Sequence, residues 1–388
     1  MSQTLTIRGF SIDSPSLAAV IALMVLGTVM VSSASISLAD QELGEPLFFL
    51  LRQLGALSIG CLAAIIVAMI PMNFWFRMNW VLLLGAIALL ASVFIPGLGH
   101  TANNSTRWLD LGPITLQPSE PARVFLVLYL ASYIVRHQND LSEGLIGFAK
   151  PMFVVALASV LLIKEPDFGA TVVLTATSLG MLFIGGARLR DFAASVLVAA
   201  GLLAMLALTS PYRLQRLKTF LDPWADPYGS GFQLTQSLIA IGRGDWFGVG
   251  LGDSVQKLFY LPEAHTDFVF AVLAEELGFV GVTLVILLFG IIVYRALALG
   301  PKAAELGMPF HGLVSTGIAL TLGLQAFINM GVNMGLLPTK GLTLPLISYG
   351  RTSAVITLIS IGLLVRIQHE VRQAAVRFEA REQRKSRR

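Results

Sequence analysis

The sequence predicts an all-α polytopic membrane protein with about ten transmembrane helices, and three observations carry that prediction. Of 388 residues, 55% are hydrophobic and only 13% are charged, against roughly 25% charge in soluble domains. The mean hydropathy is +0.76. The apolar residues also fall in long runs, and about 20 apolar residues suffice for one bilayer crossing. These features exclude a disordered chain, a disulfide scaffold and an ordinary soluble enzyme. The single cysteine, Cys61, lies within an apolar run, so neither an intrachain disulfide nor a cysteine metal cluster is available.

In chain order the runs are 17–36, 47–70, 79–95, 119–136, 150–164, 168–186, 191–210, 267–294, 310–332 and 346–366. Ten crossings return both termini to one side. The first run ends on Ser33-Ala34-Ser35 like a signal segment, but it is long for one and its flank carries only Arg8, so it reads as a retained helix. Only Lys164-Glu165-Pro166-Asp167 separates the fifth run from the sixth. A single broken helix there would invert everything downstream.

Basic residues set the orientation. With the N-terminus inside, the inner set is Arg8, Arg77, Arg136, Lys150, Arg188, Arg190, Arg295, Lys302 and eight residues from Arg366 onward, so 16 of 27. The short outer loops 37–46 and 96–118 hold only Arg107. Both termini are therefore expected in the cytoplasm. The chain reads as one integral membrane domain with a cytoplasmic N-terminus (1–16), a large periplasmic loop between helices seven and eight (211–266) and a basic cytoplasmic tail (367–388). From Arg366 the tail carries eight basic residues against Glu370, Glu379 and Glu382, a topology anchor or a site for anionic lipid or a partner. The loop 211–266 contains Trp224, Tyr228, Phe232, Trp246, Phe247, Phe259 and Tyr260, the aromatic content of a segment lying at a membrane interface.

Several enzyme signatures are absent: G-x-x-x-x-G-K-[ST], H-E-x-x-H and G-x-S-x-G do not occur. No metal-ligand spacing is visible either, and nothing points to a nucleic-acid partner. What remains is a set of ionisable residues at outer ends of apolar runs, where charge is expensive and functional by default. Foremost is Asp267 in Pro262-Glu263-Ala264-His265-Thr266-Asp267-Phe268, where a loop becomes a helix. Thr266 or Asp267 could simply cap that helix. A carboxylate there could also accept a proton from a substrate hydroxyl. Glu120 and Arg123 share a helical face. They and Asp167 could flank a cavity for an anionic headgroup, or form a structural ion pair such as Arg123 with Asp167. Lys340, Arg243, Lys257, Arg216 and Arg351 add positive charge suited to a diphosphate.

Five stretches carry a family resemblance. They are Arg107-Trp108-Leu109 with Gln117-Pro118-Ser119-Glu120; Glu165-Pro166-Asp167-Phe168-Gly169; Asp222-Pro223-Trp224 through Gly231; Gln256 through Gly278; and Gly341 through Gly350. In this order within a ten-helix frame, the chain resembles the SEDS family of peptidoglycan glycosyltransferases. The run Gln256–Asp267 is more similar to its division branch than to its elongation branch.

The resemblance implies polymerisation of lipid II, a disaccharide pentapeptide on undecaprenyl diphosphate, at the outer face of the bacterial inner membrane during septal wall synthesis. It implies Asp267 as the essential carboxylate, with Glu120, Arg123 and Asp167 matching residues of the family pattern. From their own positions near the outer ends of the runs, Glu263, His265, Lys340, Arg243 and Lys257 complete the candidate substrate-binding or cavity set. It further implies a class B penicillin-binding protein, FtsI, and other division-machinery membrane proteins as partners, amid membrane lipids. The chemistry itself needs a base for the attacking hydroxyl and positive charge, from side chains or a divalent cation, for the departing diphosphate. Two positions depart from the family pattern. Arg123 stands where Lys is common, and Arg351 follows Tyr349-Gly350 where a second glycine is usual. The competing classes are a lipid-precursor flippase or transporter, which would place charge near the midplane in a repeated architecture, a noncatalytic scaffold, and an elongation polymerase within the same family.

Overall fold

The computed structural model describes residues 4–7, 10–102, 105–110, 112, 115–209 and 211–386. It begins with an antiparallel hairpin, β1 (Thr4–Ile7) and β2 (Phe10–Asp13). Asp13 then N-caps α1 (Ser14–Leu43), accepting from the Ser16 N–H at 3.2 Å. The left-handed Gly44 ends that helix, its N–H returning to the Asp40 carbonyl. There follow α2 (Phe48–Met69), α3 (Met72–Arg77) and α4 (Asn79–Ser92). A small sheet occupies the next loop, with β3 (Gly99–Ala102), β4 (Ser105–Asp110) and β5 (Thr115–Leu116) in antiparallel order. Next come α5 (Ser119–Arg136), α6 (Gln138–Glu143), α7 (Leu145–Lys164), α8 (Phe168–Ile184) and α9 (Leu189–Thr209). The chain continues through α10 (Pro211–Leu221), a 3-10 turn at Pro223–Ala225, α11 (Phe232–Gly244), α12 (Val269–Glu305), α13 (Pro309–Asn333) and α14 (Arg351–Ser386).

Each of the ten apolar runs contains a helix. Six helices, α1, α2, α7, α12, α13 and α14, are long and apolar enough to cross a membrane, and α4 and α8 are shorter apolar helices. Leu51, Leu62, Ile65 and Ile66 of α2 and Leu284 and Leu287 of α12 face outward, as bilayer-facing surface would. α5 is enclosed along most of its length: nearly every residue from Ser119 to Ile134 is buried. Surrounded by protein rather than lipid, it can carry Glu120 and Arg123.

The fifth and sixth runs are two helices, not one broken helix. Ser159 of α7 meets Thr175 of α8 at 3.1 Å, the pairing of an antiparallel hairpin that turns at 165–167. The fifth helix starts at Leu145, earlier than expected. The loop 211–266 is not free of structure, since it holds α10 and α11, yet Trp224, Tyr228, Trp246, Phe247, Phe259 and Tyr260 are exposed as an interfacial segment requires. Phe232 is half-buried. The basic tail begins as a continuation of α14: His369 and Val371 are buried, and Glu370 accepts from Arg366 at 2.5 Å, the Met72 N–H at 3.1 Å and pairs with His311 at 2.7 Å.

α12 is two helices stacked end to end. Gly278 leaves helical geometry at φ 63° and ψ −162°. The loop after α11 replaces the missing bonds: the Val249 and Gly250 N–H groups donate to the Glu275 and Glu276 carbonyls at 2.9 and 3.2 Å. In return the Phe279 and Val280 N–H groups donate to Asp245 and Trp246 at 2.9 and 3.1 Å. These four bonds pair backbone groups on both sides of the break, as a buried break requires.

Candidate active site

Asp267 precedes α12 by two residues, so it belongs to the loop rather than to the spanning helix. The expected cap by Thr266 or Asp267 is absent. The N-cap residue is Phe268, without a side-chain cap bond, and Thr266 instead donates to the Glu263 carboxylate at 2.6 Å. The cap comes from the end of α13. The Asn333 Oδ1 accepts from the Ala271 N–H at 3.1 Å, and its Nδ2 donates to the Asp267 carbonyl at 3.0 Å. Asn329, one turn earlier, donates to the same carbonyl at 2.9 Å and to the Leu342 carbonyl at 2.5 Å.

Among the described residues, nothing donates to the Asp267 carboxylate. Gly341 lies directly against it: a Cβ there would stand 2.9 Å from Oδ2. Burial, then the negative charges of Glu263 and Asp167, push its pKa up to about 7 against the opposing pull of Arg107 and Arg216.

Four other elements close the site. Asp167 N-caps α8 through the Ala170 N–H at 3.0 Å, and its second oxygen accepts from Gln117 and Ser119, both at 3.4 Å. Arg107 of β4 clamps the turn before it, donating to the Pro166 and Glu165 carbonyls at 2.5 and 3.3 Å. The buried Glu165 is pushed up to about 8 by burial and by Asp167, with Arg107 opposing. Lys340 sits 3.8 Å from the Phe168 ring centroid, and Arg216 of α10 donates to the Thr339 carbonyl at 3.3 Å.

The expected Arg123–Asp167 pair is not what forms. Arg123 pairs with Glu120, one turn back on α5, while Nη1 donates to Gln325 of α13 at 2.9 Å and Nε to the Ser119 carbonyl at 3.4 Å. The guanidinium fork serves three acceptors in different directions, which is why arginine suits a position where lysine is common in the family. Arg351 starts α14 and donates to Thr115 of β5 at 2.7 Å, so the position needs no glycine conformation. His265 packs between Phe49 and Tyr349, with centroids 4.6 and 5.7 Å away. Burial pulls its pKa down, partly offset by Glu263 and Glu42. The exposed Glu263 stays on the same loop as Asp267.

Two expected members are held in a different cluster. Arg243 pairs with Glu275 at 3.2 Å, and Lys257 pairs with Glu276 at 2.8 Å while also donating to Ser33 and the Gly252 carbonyl. Lys257 lines a groove of about 740 Å³ between Ser32 and Ser33 of α1 and the segment 251–258. Asp267 is not part of that groove.

Residues not singled out in the sequence as site members are Arg107, Asn329, Asn333, Glu275 and Glu276. Glu275 and Glu276 carry a signal, because both are ionisable side chains inside the apolar run 267–294, whereas Asn329 and Asn333 sit at and just past the end of the run 310–332. Among the described residues no group of three or more His, Cys, Asp or Glu is gathered as for a metal ion.

A family model described as cell cycle protein, covering FtsW, RodA and SpoVE, matches residues 15–373. A probable peptidoglycan glycosyltransferase FtsW of Thioalkalivibrio sulfidiphilus is 55% identical over 351 residues, 90% of this chain and 88% of its own. One from Nitrosococcus halophilus is 53% identical over 356 residues, 92% of each. Among solved structures, a chain from work on coordination of polymerization and crosslinking by a peptidoglycan synthase complex is similar at TM-score 0.76 and 30% identity, covering 93% of this chain and 98% of that one. The rod shape determining protein RodA of Thermus thermophilus matches at TM-score 0.68 and 28% identity, covering 92% and 96%.

Proposed function

The chain belongs to the FtsW/RodA/SpoVE family of cell cycle proteins, and from that premise we propose that it is a peptidoglycan glycosyltransferase that polymerises lipid II for the division septum. The observation that carries the chemistry is the Asp267 carboxylate, half-buried, unbonded among the described residues and pushed up to about 7. A general base works best when its pKa lies near the working pH.

In the reaction, a sugar hydroxyl of one lipid II-derived unit attacks the anomeric carbon of the other. The hydroxyl proton passes to Asp267, the new glycosidic bond forms, and the bond from the anomeric carbon to the lipid diphosphate breaks. The diphosphate leaves with the bonding electrons, so positive charge beside it lowers the barrier. Arg107 of β4 and Arg216 of α10 face Asp267, and Lys340 precedes the Gly341 that lies against its carboxylate. A divalent cation carried on the diphosphate would share that work. Glu120 and Arg123 neutralise one another and brace the wall beneath Asp167.

The resemblance to a synthase complex supports a class B penicillin-binding partner, for which FtsI is the candidate, and the division-branch relatives support action at the septum. The large apolar exterior supports a multi-pass position in the bacterial inner membrane, and the basic residues of the inner loops and tail support both termini in the cytoplasm.

The test is polymerisation of purified lipid II by the detergent-solubilised chain with its penicillin-binding partner, whose transpeptidase is blocked, with and without a metal chelator. Wild type should make long glycan, and Asp267→Asn and Asp267→Ala should make none while still binding the partner. Normal polymerisation by both variants would remove Asp267 as the base.

A further inference from the structure

A carboxylate two residues before a buried helix has a ready alternative to catalysis. The first N–H groups of that helix carry partial positive charge and lack a full set of intrahelical acceptors, and a carboxylate next to the N-cap is drawn to them. In this protein Asn333 holds that place. Its amide orientation follows from its neighbours: Oδ1 faces the Ala271 N–H, and Nδ2 faces the Asp267 and Asn329 carbonyls. Asn333 is fully buried, at 0% exposure. Asn329 adds a second donor to the Asp267 carbonyl and ties it to Leu342, next to the Gly341 that lies against the carboxylate.

We propose that Asn333 is a positioning residue for the reaction: by capping α12 in place of Asp267 and holding the Asp267 backbone, it keeps that carboxylate free to face substrate. Asn329 is its partner, fixing the backbone without supplying the cap. The proposal rests on the reading of Asp267 as the base.

Without Asn333 the Ala271 N–H keeps only the Phe268 carbonyl three residues back, at 3.0 Å, and the Asp267 side chain can turn to take the place of the lost amide oxygen. A carboxylate that accepts backbone N–H groups is held ionised, so its pKa falls, and the same bonds pull it from the substrate. The charges facing Asp267 are Glu263 from its own loop, Arg107 from β4, Asp167 at the head of α8 and Arg216 from α10. Neither asparagine variant alters them.

The experiment measures kcat and KM for lipid II between about pH 5.5 and 9, with the full chain and its blocked partner, for wild type, Asn333→Ala, Asn329→Ala and Asp267→Asn. Asn333→Ala should lower kcat at least about tenfold, with KM changed less than about twofold, and move the acid limb about one pH unit lower. Asn329→Ala should lower kcat with the limb in place, because Ala271 remains capped. If Asn333→Ala does not fold, Asn333→Ser, too short to bridge both groups, gives the same readout. A lowered kcat with an unmoved limb, or wild-type kinetics, overturns the proposal and leaves Asn333 a packing residue. Polymerisation by Asp267→Asn overturns the underlying reading, and the proposal with it.

Discussion

The N–H of Phe279 donates to the Asp245 carbonyl at 2.9 Å, across the point where α12 loses its helical geometry. The break thus depends on Gly278, which alone lets the helix stop and restart while the loop after α11 lies against it.

Gly278→Ala should therefore be strongly destabilising. Its φ of 63° disfavours a side chain, and a Cβ would stand 2.7 Å from the Gly244 oxygen and the Phe247 nitrogen. Strain of this kind costs about 1–3 kcal/mol before the clash is counted. Gly290→Ala in the same helix, with no heavy atom within 4 Å of its Cβ, is the control. Thermal unfolding in detergent should show a large drop for the first and none for the second.

Polymerisation should rise with pH through about 7, where Asp267 ionises. The linked stability runs the other way. A carboxyl whose pKa is raised on folding contributes stability that is complete below the unfolded value and is lost as pH rises through the folded one. Asp267→Asn should therefore gain on wild type as pH rises from about 4, be more stable at pH values above about 7, and approach it only below about pH 4. Melting temperatures at the two ends check the sign.

Glu120 and Arg123 should behave as one unit. Removing one partner of a buried pair costs about 3–5 kcal/mol because the other charge is stranded. Glu120→Gln and Arg123→Met should each lose stability, and the double variant should be less destabilised than the sum. Additive losses in that cycle would show that the pair is not coupled.

Glu276→Gln should cost more than Arg243→Ala. The first strands Lys257, which is 6% exposed at its side chain. The second leaves Glu275 with the Ser254 hydroxyl and the Val255 and Gln256 N–H groups as donors. Chemical denaturation of both variants ranks them directly.

Gly341→Ala places a methyl 2.9 Å from the Asp267 carboxylate at an exposed position. Melting should change little, while kcat falls because a displacement near 1 Å at a reacting group costs about a hundredfold. An unchanged kcat would show that the carboxylate has room to move.

Much was legible because it is local. A helix crossing a bilayer must satisfy its own backbone and present apolar side chains, so the ten runs mark ten helices without reference to one another. Asp267 stood out because ionisable groups at the end of an apolar run are costly. The small sheet at Gly99–Leu116 and the break at Gly278 were not legible. The first is held by pairing within a loop of mixed polarity, and the second by backbone bonds to a segment well back in the chain, Val249 to Glu275 and Phe279 to Asp245.

The sequence by itself determined the helical membrane class, the order of the motifs and the carboxylate at the head of α12. Only the tertiary structure decided which groups meet. Asn333, 66 residues from Asp267, caps the helix. Arg123 turns to Glu120 and Gln325 rather than to Asp167. Arg243 and Lys257 belong to Glu275 and Glu276. The physical reason is one of range. Hydropathy acts residue by residue along the chain, whereas a buried polar group needs a particular partner at hydrogen-bond distance, and packing chooses that partner.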